Sequence, residues 1–159
     1  RSQVALGLIL AQNPELLILD DFSLGLDPGY RRLFVDYLRD YARSENKTVF
    51  LTSHIIQDME RLIDDCIIMD YGSILIQQPI ETLMKGLRKY TCTVPEGYQP
   101  QLPVTCYHPA VIRQTLETYS FLPPSDVEGL LKENQVPFTG LQHENVGLED
   151  AFIGLTGKY

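Results

Sequence analysis

Glu15-Leu16-Leu17-Ile18-Leu19-Asp20-Asp21-Phe22-Ser23-Leu24-Gly25-Leu26-Asp27-Pro28 is a continuous apolar run that closes on two acids and then crosses a short loop to a helix start. Leu16 to Leu19 reads as a strand buried on both faces, because no polar residue alternates with the apolar ones. Acids at the C-terminal end of such a strand stand where ligands bind in open α/β sheets. Asp27-Pro28 predicts a helix, with an Asp cap followed by a residue suited to the first helical position.

The flanking sequence extends this pattern. Val4, Leu8 and Ala11 have helical spacing in a helix that Ser2 can cap and Asn13-Pro14 ends. Tyr30 to Arg43 places Leu33, Phe34, Tyr37, Leu38 and Tyr41 among charges as an amphipathic helix, so the tyrosine stripe is a helix face and not a stacking platform. Thr48 to Leu51 is a second strand leading into Thr52-Ser53-His54. Ile56, Met59, Leu62 and Ile63 then repeat helically, Cys66 to Met69 is a third strand, and Asp70-Tyr71-Gly72 turns it into a fourth, Ser73 to Ile76. Alternation of strand and helix predicts a parallel α/β sheet.

Composition changes near Gly86, where proline becomes frequent and periodicity weakens. Residues 86–159 read as a small α+β appendage to residues 1–85. Its expected strands lie near Tyr90 to Val94 and Val104 to Tyr107, with a helix near Ala110 to Tyr119 and a last helix from about Leu148 that Gly157 stops.

The chain has 159 residues, 44% of them hydrophobic and 21% charged, which suits a folded globular protein. A formal net charge of -8 with 13 Lys and Arg offers no field for a phosphate backbone, so nucleic acid is excluded as a partner. Cys66, Cys92 and Cys106 form no Cys-x-x-Cys pair and suit a reducing compartment. His108 and His143 lack a second ligand at metal spacing and read as surface residues. No apolar run approaches the ~20 residues of a membrane helix. Arg1 opens directly into a helical pattern without Met, and a fragment of a longer protein is expected.

The stretch from Glu15 to Pro28 resembles the Walker B strand and D-loop of ABC ATPases. Leu51-Thr52-Ser53-His54 is similar to their switch-histidine motif, and Asp58 to Ile74 to the stretch leading into their last strands. Leu148 to Gly157 looks like the closing helix of ATP-binding subunits from exporters. The resemblance implies a P-loop-NTPase-like parallel sheet, present as its C-terminal half. The signature, the P-loop and the Gln loop would lie upstream of Arg1, and the chain alone is expected to be inactive.

By the same resemblance Asp20 holds Mg²⁺ and Asp21 and His54 are catalytic, while Ser23, Gly25 and Asp27 form the D-loop that couples two ATP sites. ATP and Mg²⁺ are the implied cofactors. The implied partners are transmembrane permease subunits and a second ATP-binding subunit, at the cytoplasmic face of a membrane. The implied function is ATP hydrolysis driving export. Its alternatives are a catalytically degenerate regulatory subunit and a non-transport ABC ATPase in translation or repair. Asp21 departs from the family, which has glutamate there; the aspartate is one methylene shorter, and a misplacement of about 1 Å costs on the order of a hundredfold in rate. On this ground Asp21→Glu is expected to hold or raise the rate. A phosphorelay receiver is excluded by strand order, since the strand ending in Asp70 follows Thr52-Ser53.

Overall fold

The computed structural model describes residues 2–22 and 25–157. Two compact units divide the chain, residues 1–63 and 64–159. The expected boundary near Gly86 falls inside the second unit, between a helix and a strand.

The first unit runs α1 (Ser2–Ala11), β1 (Leu16–Asp20), α2 (Pro28–Ser44), β2 (Thr48–Thr52) and a 3-10 helix (Ile56–Arg61). β1 and β2 pair in parallel, Leu16 opposite Thr48 through Asp20 opposite Thr52. Leu17 and Leu19 are buried while Leu16 and Ile18 are exposed. The expectation of burial on both faces is therefore corrected: among the described residues only one face of this two-stranded ladder is covered. Proline occupies the first turn of α2, and Gly29 N–H donates to Asp27 Oδ1 at 2.7 Å, closing the cap that the sequence indicates. Val35 and Leu38 are the buried side chains of α2, whereas Leu33 and Tyr37 are exposed. Tyr37 and Tyr41 stack on each other at 6.2 Å along that helix. The helical repeat from Ile56 is realised as the tighter 3-10 form.

The second unit opens with the hairpin β3 (Asp65–Asp70) and β4 (Ser73–Pro79). Tyr71 and Gly72 both have positive φ, 44° and 80°, as a two-residue type I′ turn requires. This pair is antiparallel, so among the described residues parallel pairing is confined to β1 and β2, and the expected parallel sheet is corrected on this point. After α3 (Ile80–Gly86) come β5 (Arg88–Thr93), β6 (Tyr107–Ile112), β7 (Thr115–Ser120), α4 (Pro124–Glu133), β8 (Thr139–Asn145) and α5 (Leu148–Thr156). The last four strands form an antiparallel sheet in the order β6-β7-β5-β8.

The helix expected at Ala110 to Tyr119 is a β-hairpin instead. Arg113 at φ 60° turns the chain, and Leu116 and Thr118 are buried with Glu117 half-buried between them, a period of two that runs into Tyr119 and Ser120, both buried. The strand expected from Val104 begins only at Tyr107. Val127 and Leu131 of α4 join Tyr90, Cys92, Val94 and Leu116 in one buried cluster. Gly157 ends α5 at φ 67°, its N–H donating to Ile153 O at 2.8 Å.

Candidate functional site

The parallel pairing of β1 and β2 brings two strand ends level, with Asp20 and Thr52 on the same rung. The residues that follow each strand therefore emerge side by side. Asp21 leaves β1 at φ 46°, a left-handed conformation that Asp tolerates better than most side chains. Its N–H donates to Thr52 O at 3.1 Å and to Thr52 Oγ1 at 3.2 Å. Phe22, buried, places its ring 5.4 Å from that of Phe34 on α2. That contact seats the residue directly after the acids against α2.

On the other strand, Ile55 N–H donates to Ser53 Oγ at 3.0 Å in a hydroxyl-closed turn, and His54 stands within it. His54 Nδ1 lies 2.7 Å from Asp21 Oδ1 and 2.8 Å from Asp21 Oδ2. A carboxylate only accepts, so Nδ1 carries the hydrogen and Nε2 of the neutral ring is left as an acceptor. Both side chains are accessible, 58% for His54 and 38% for Asp21. This is an open edge at which a ligand can reach the pair.

Asp20, Asp21 and His54 are thus brought together as the sequence expects. Thr52 is the residue that sequence reasoning passed over: its hydroxyl donates to Asp20 Oδ1. The available signal was a hydroxyl residue ending the second strand, two positions before the histidine. Gly25 adopts φ 78°, open only to glycine at low cost, and Asp27 caps α2. Ser23 lies outside the described residues. His108 and His143 are both exposed, and His108 Nε2 is 3.2 Å from Leu155 O near the end of α5.

Among the described residues no three His, Cys, Asp or Glu side chains gather as a metal cage. A hydrated Mg²⁺ needs only one or two carboxylates, its other places filled by water and phosphate oxygens. Asp20, exposed at the strand end with one oxygen held by Thr52, fits that requirement. Among the described residues no helix is long and apolar enough to cross a membrane.

Residues 2–57 match the family described as "AAA domain, putative AbiEii toxin, Type IV TA system", a family of P-loop ATPases. The Nod factor export ATP-binding protein I of Ralstonia nicotianae is 31% identical over 99% of this chain and 51% of its own length. The protein of the same name from Burkholderia orbicola is 28% identical over 99% of this chain and 52% of its own. The energy-coupling factor transporter ATP-binding protein EcfA2 of Clostridioides difficile is 39% identical over 46% of this chain and 26% of its own. The chain spans about half the length of the export proteins it matches. Its curated homologues are ABC transporter ATP-binding subunits, and the resemblance carried by Glu15 to Pro28 and Leu51 to His54 is borne out.

Proposed function

We propose that this chain, whose curated homologues are ABC transporter ATP-binding subunits, belongs to a protein that hydrolyses ATP to drive export through transmembrane permease subunits. The observation that carries the reading is the contact of His54 Nδ1 with both oxygens of Asp21, beside Asp20, at the C-terminal edge of two parallel strands. Mg²⁺ and ATP, when bound, supply the charge neutralisation and the phosphoryl group of such a reaction. Asp20 is the residue that holds the ion. Asp21 Oδ1 also receives the His54 N–H at 3.4 Å, whereas Oδ2 keeps a further lone pair and accepts the proton of an attacking water. His54 Nδ1–H holds that carboxylate in place, and Nε2 is free to accept a hydrogen bond from substrate or water.

Export is supported by the extent of similarity: the two Nod factor export proteins match over 99% of this chain, while the Clostridioides difficile EcfA2 matches over 46%. Residues 1–85 then form the C-terminal half of the nucleotide-binding domain and residues 86–159 its accessory region. Gly25 and Asp27, with Ser23, form the loop that meets a second ATP-binding subunit at the cytoplasmic face of the membrane. A degenerate subunit is the second reading, favoured by aspartate at position 21 in place of the usual glutamate.

Steady-state ATP turnover of the whole protein against Mg²⁺ concentration tests the proposal. Asp20→Asn is expected to raise the Mg²⁺ requirement and depress turnover. Wild-type turnover at wild-type Mg²⁺ in that variant would remove Asp20 from the site and the hydrolytic reading with it.

A further inference from the structure

We propose that Thr52 is a positioning residue for this site, a single hydroxyl that sets both acids at once. The inference deepens the hydrolytic reading and rests on it for its consequence in catalysis. A threonine hydroxyl has one hydrogen to give and two lone pairs to offer. Here the hydrogen goes to Asp20 Oδ1, which leaves the oxygen to receive the N–H of Asp21 at 3.2 Å. One side chain therefore acts as donor to the first acid and acceptor from the second.

The consequences differ for the two acids. At Asp20 the bond occupies one carboxylate oxygen and fixes its plane, so the other oxygen faces a cation from a set direction. At Asp21 the bond supports a backbone held at φ 46°, and that backbone aims the carboxylate at His54. His54 follows Thr52 by two residues, through the turn closed by Ser53 Oγ and Ile55 N–H at 3.0 Å. The four residues form a closed circuit: Asp20 to Asp21 along the chain, Asp21 to His54 by the hydrogen bond from Nδ1, His54 to Thr52 along the chain, and Thr52 back to Asp20 by its hydroxyl. Breaking the hydroxyl link frees the acids without unpairing the strands, because Asp21 N–H keeps the backbone carbonyl at position 52, 3.1 Å away.

Thr52→Val removes the hydroxyl at nearly constant shape, and Thr52→Ser keeps it. The readout is the imidazole ¹⁵N spectrum of His54 in the whole protein, with Asp21→Ala marking the signal of an unpaired His54 and circular dichroism confirming that each variant is folded. The expected result is a Thr52→Val spectrum displaced toward that of Asp21→Ala, with Thr52→Ser restoring the wild-type signal and with turnover in Thr52→Val lowered about tenfold to a hundredfold, the effect of a catalytic group displaced by up to about 1 Å. A folded Thr52→Val whose His54 signal matches wild type overturns the proposal. Failure of the hydrolytic reading registers separately, as wild-type turnover in Asp20→Asn, and leaves the spectral result for Thr52 intact.

Discussion

Asp21 and His54, 33 residues apart in the chain, meet through Nδ1 at 2.7 and 2.8 Å from the two carboxylate oxygens. The contact makes the carboxylate a shared group, turned to the imidazole on one side and open to water on the other. Asp21→Asn keeps the shape but cannot accept the water's proton, so turnover is expected to fall about a hundredfold or more while ATP-bound protein persists. For Asp21→Glu the geometry reverses the expectation drawn from sequence. The φ of 46° suits aspartate better than glutamate, and a further methylene carries the carboxylate past its contact with Nδ1. A displacement of about 1 Å is worth on the order of a hundredfold, so the glutamate variant is expected to be slower than wild type. Turnover equal to or faster than wild type would show that reach, and not the pairing, limits this site.

His54→Ala separates catalysis from stability. Both partners are well exposed, and such surface pairs contribute about 0 to 1 kcal/mol. The urea midpoint is therefore expected to stay near wild type. Turnover is expected to fall about a hundredfold or more, with nucleotide affinity changed far less, because the contact matters chiefly when the reacting groups are assembled. Equal losses in affinity and turnover would make His54 a binding residue only.

The parts of this fold that are legible in the sequence are those where one local signal dominates. Leu16 to Leu19 with its acids, Asp27-Pro28 at the start of α2, and Gly157 at the end of α5 each act through neighbours a few residues away. The hairpin at Tyr107 to Ser120 is hidden because Ile112, Leu116 and Tyr119 also satisfy a helical spacing; sheet pairing with β5 decides between the periods, and that pairing is non-local. The antiparallel order of β3 and β4 follows from a two-residue turn that sends the chain straight back along itself, against the parallel order that strand and helix alternation suggests. At the site, the acids and the histidine stand out by type and position. Thr52 does not, since its role depends on being level with Asp20 across the ladder.

Alkaline pH is expected to loosen the fold, and the sign follows from the buried thiols. Burial pushes Cys66, Cys92 and Cys106 above the ordinary thiol value of 9.0. The unfolded chain thus loses these protons first, and stability present below pH 9.0 is lost as pH rises through the folded values. Lys89 adds to the trend: its hydrogen bond to Glu117 raises it above 10.5, so that pair's contribution also fades at higher pH. Urea midpoints measured across pH 8 to 11, about the window these values define, should fall steadily above about 9. A midpoint that rises over this range would mean the thiols are not buried in the folded protein.

Two glycines in helices of the second unit are expected to respond to alanine with opposite signs. At Gly154 in α5 a Cβ would lie 2.5 Å from Cγ and Cδ1 of Tyr119. Tyr119 is buried and donates its hydroxyl to Glu117 at 3.1 Å, so the ring has little freedom to withdraw. Overpacking of this kind costs about 1 to 3 kcal/mol. The gain from replacing a helical glycine is about 0.5 to 1 kcal/mol and does not offset it. Gly129 in α4 has no atom within 4 Å of its would-be Cβ, so Gly129→Ala keeps that gain entire. Urea denaturation should therefore show Gly154→Ala with a lowered midpoint and Gly129→Ala with a raised one, at unchanged slope. The comparison isolates the contact, because both substitutions add the same methyl group to a helix and reduce the freedom of the unfolded chain alike. If Gly154→Ala also raised the midpoint, α5 could not be seated against Tyr119 at this distance.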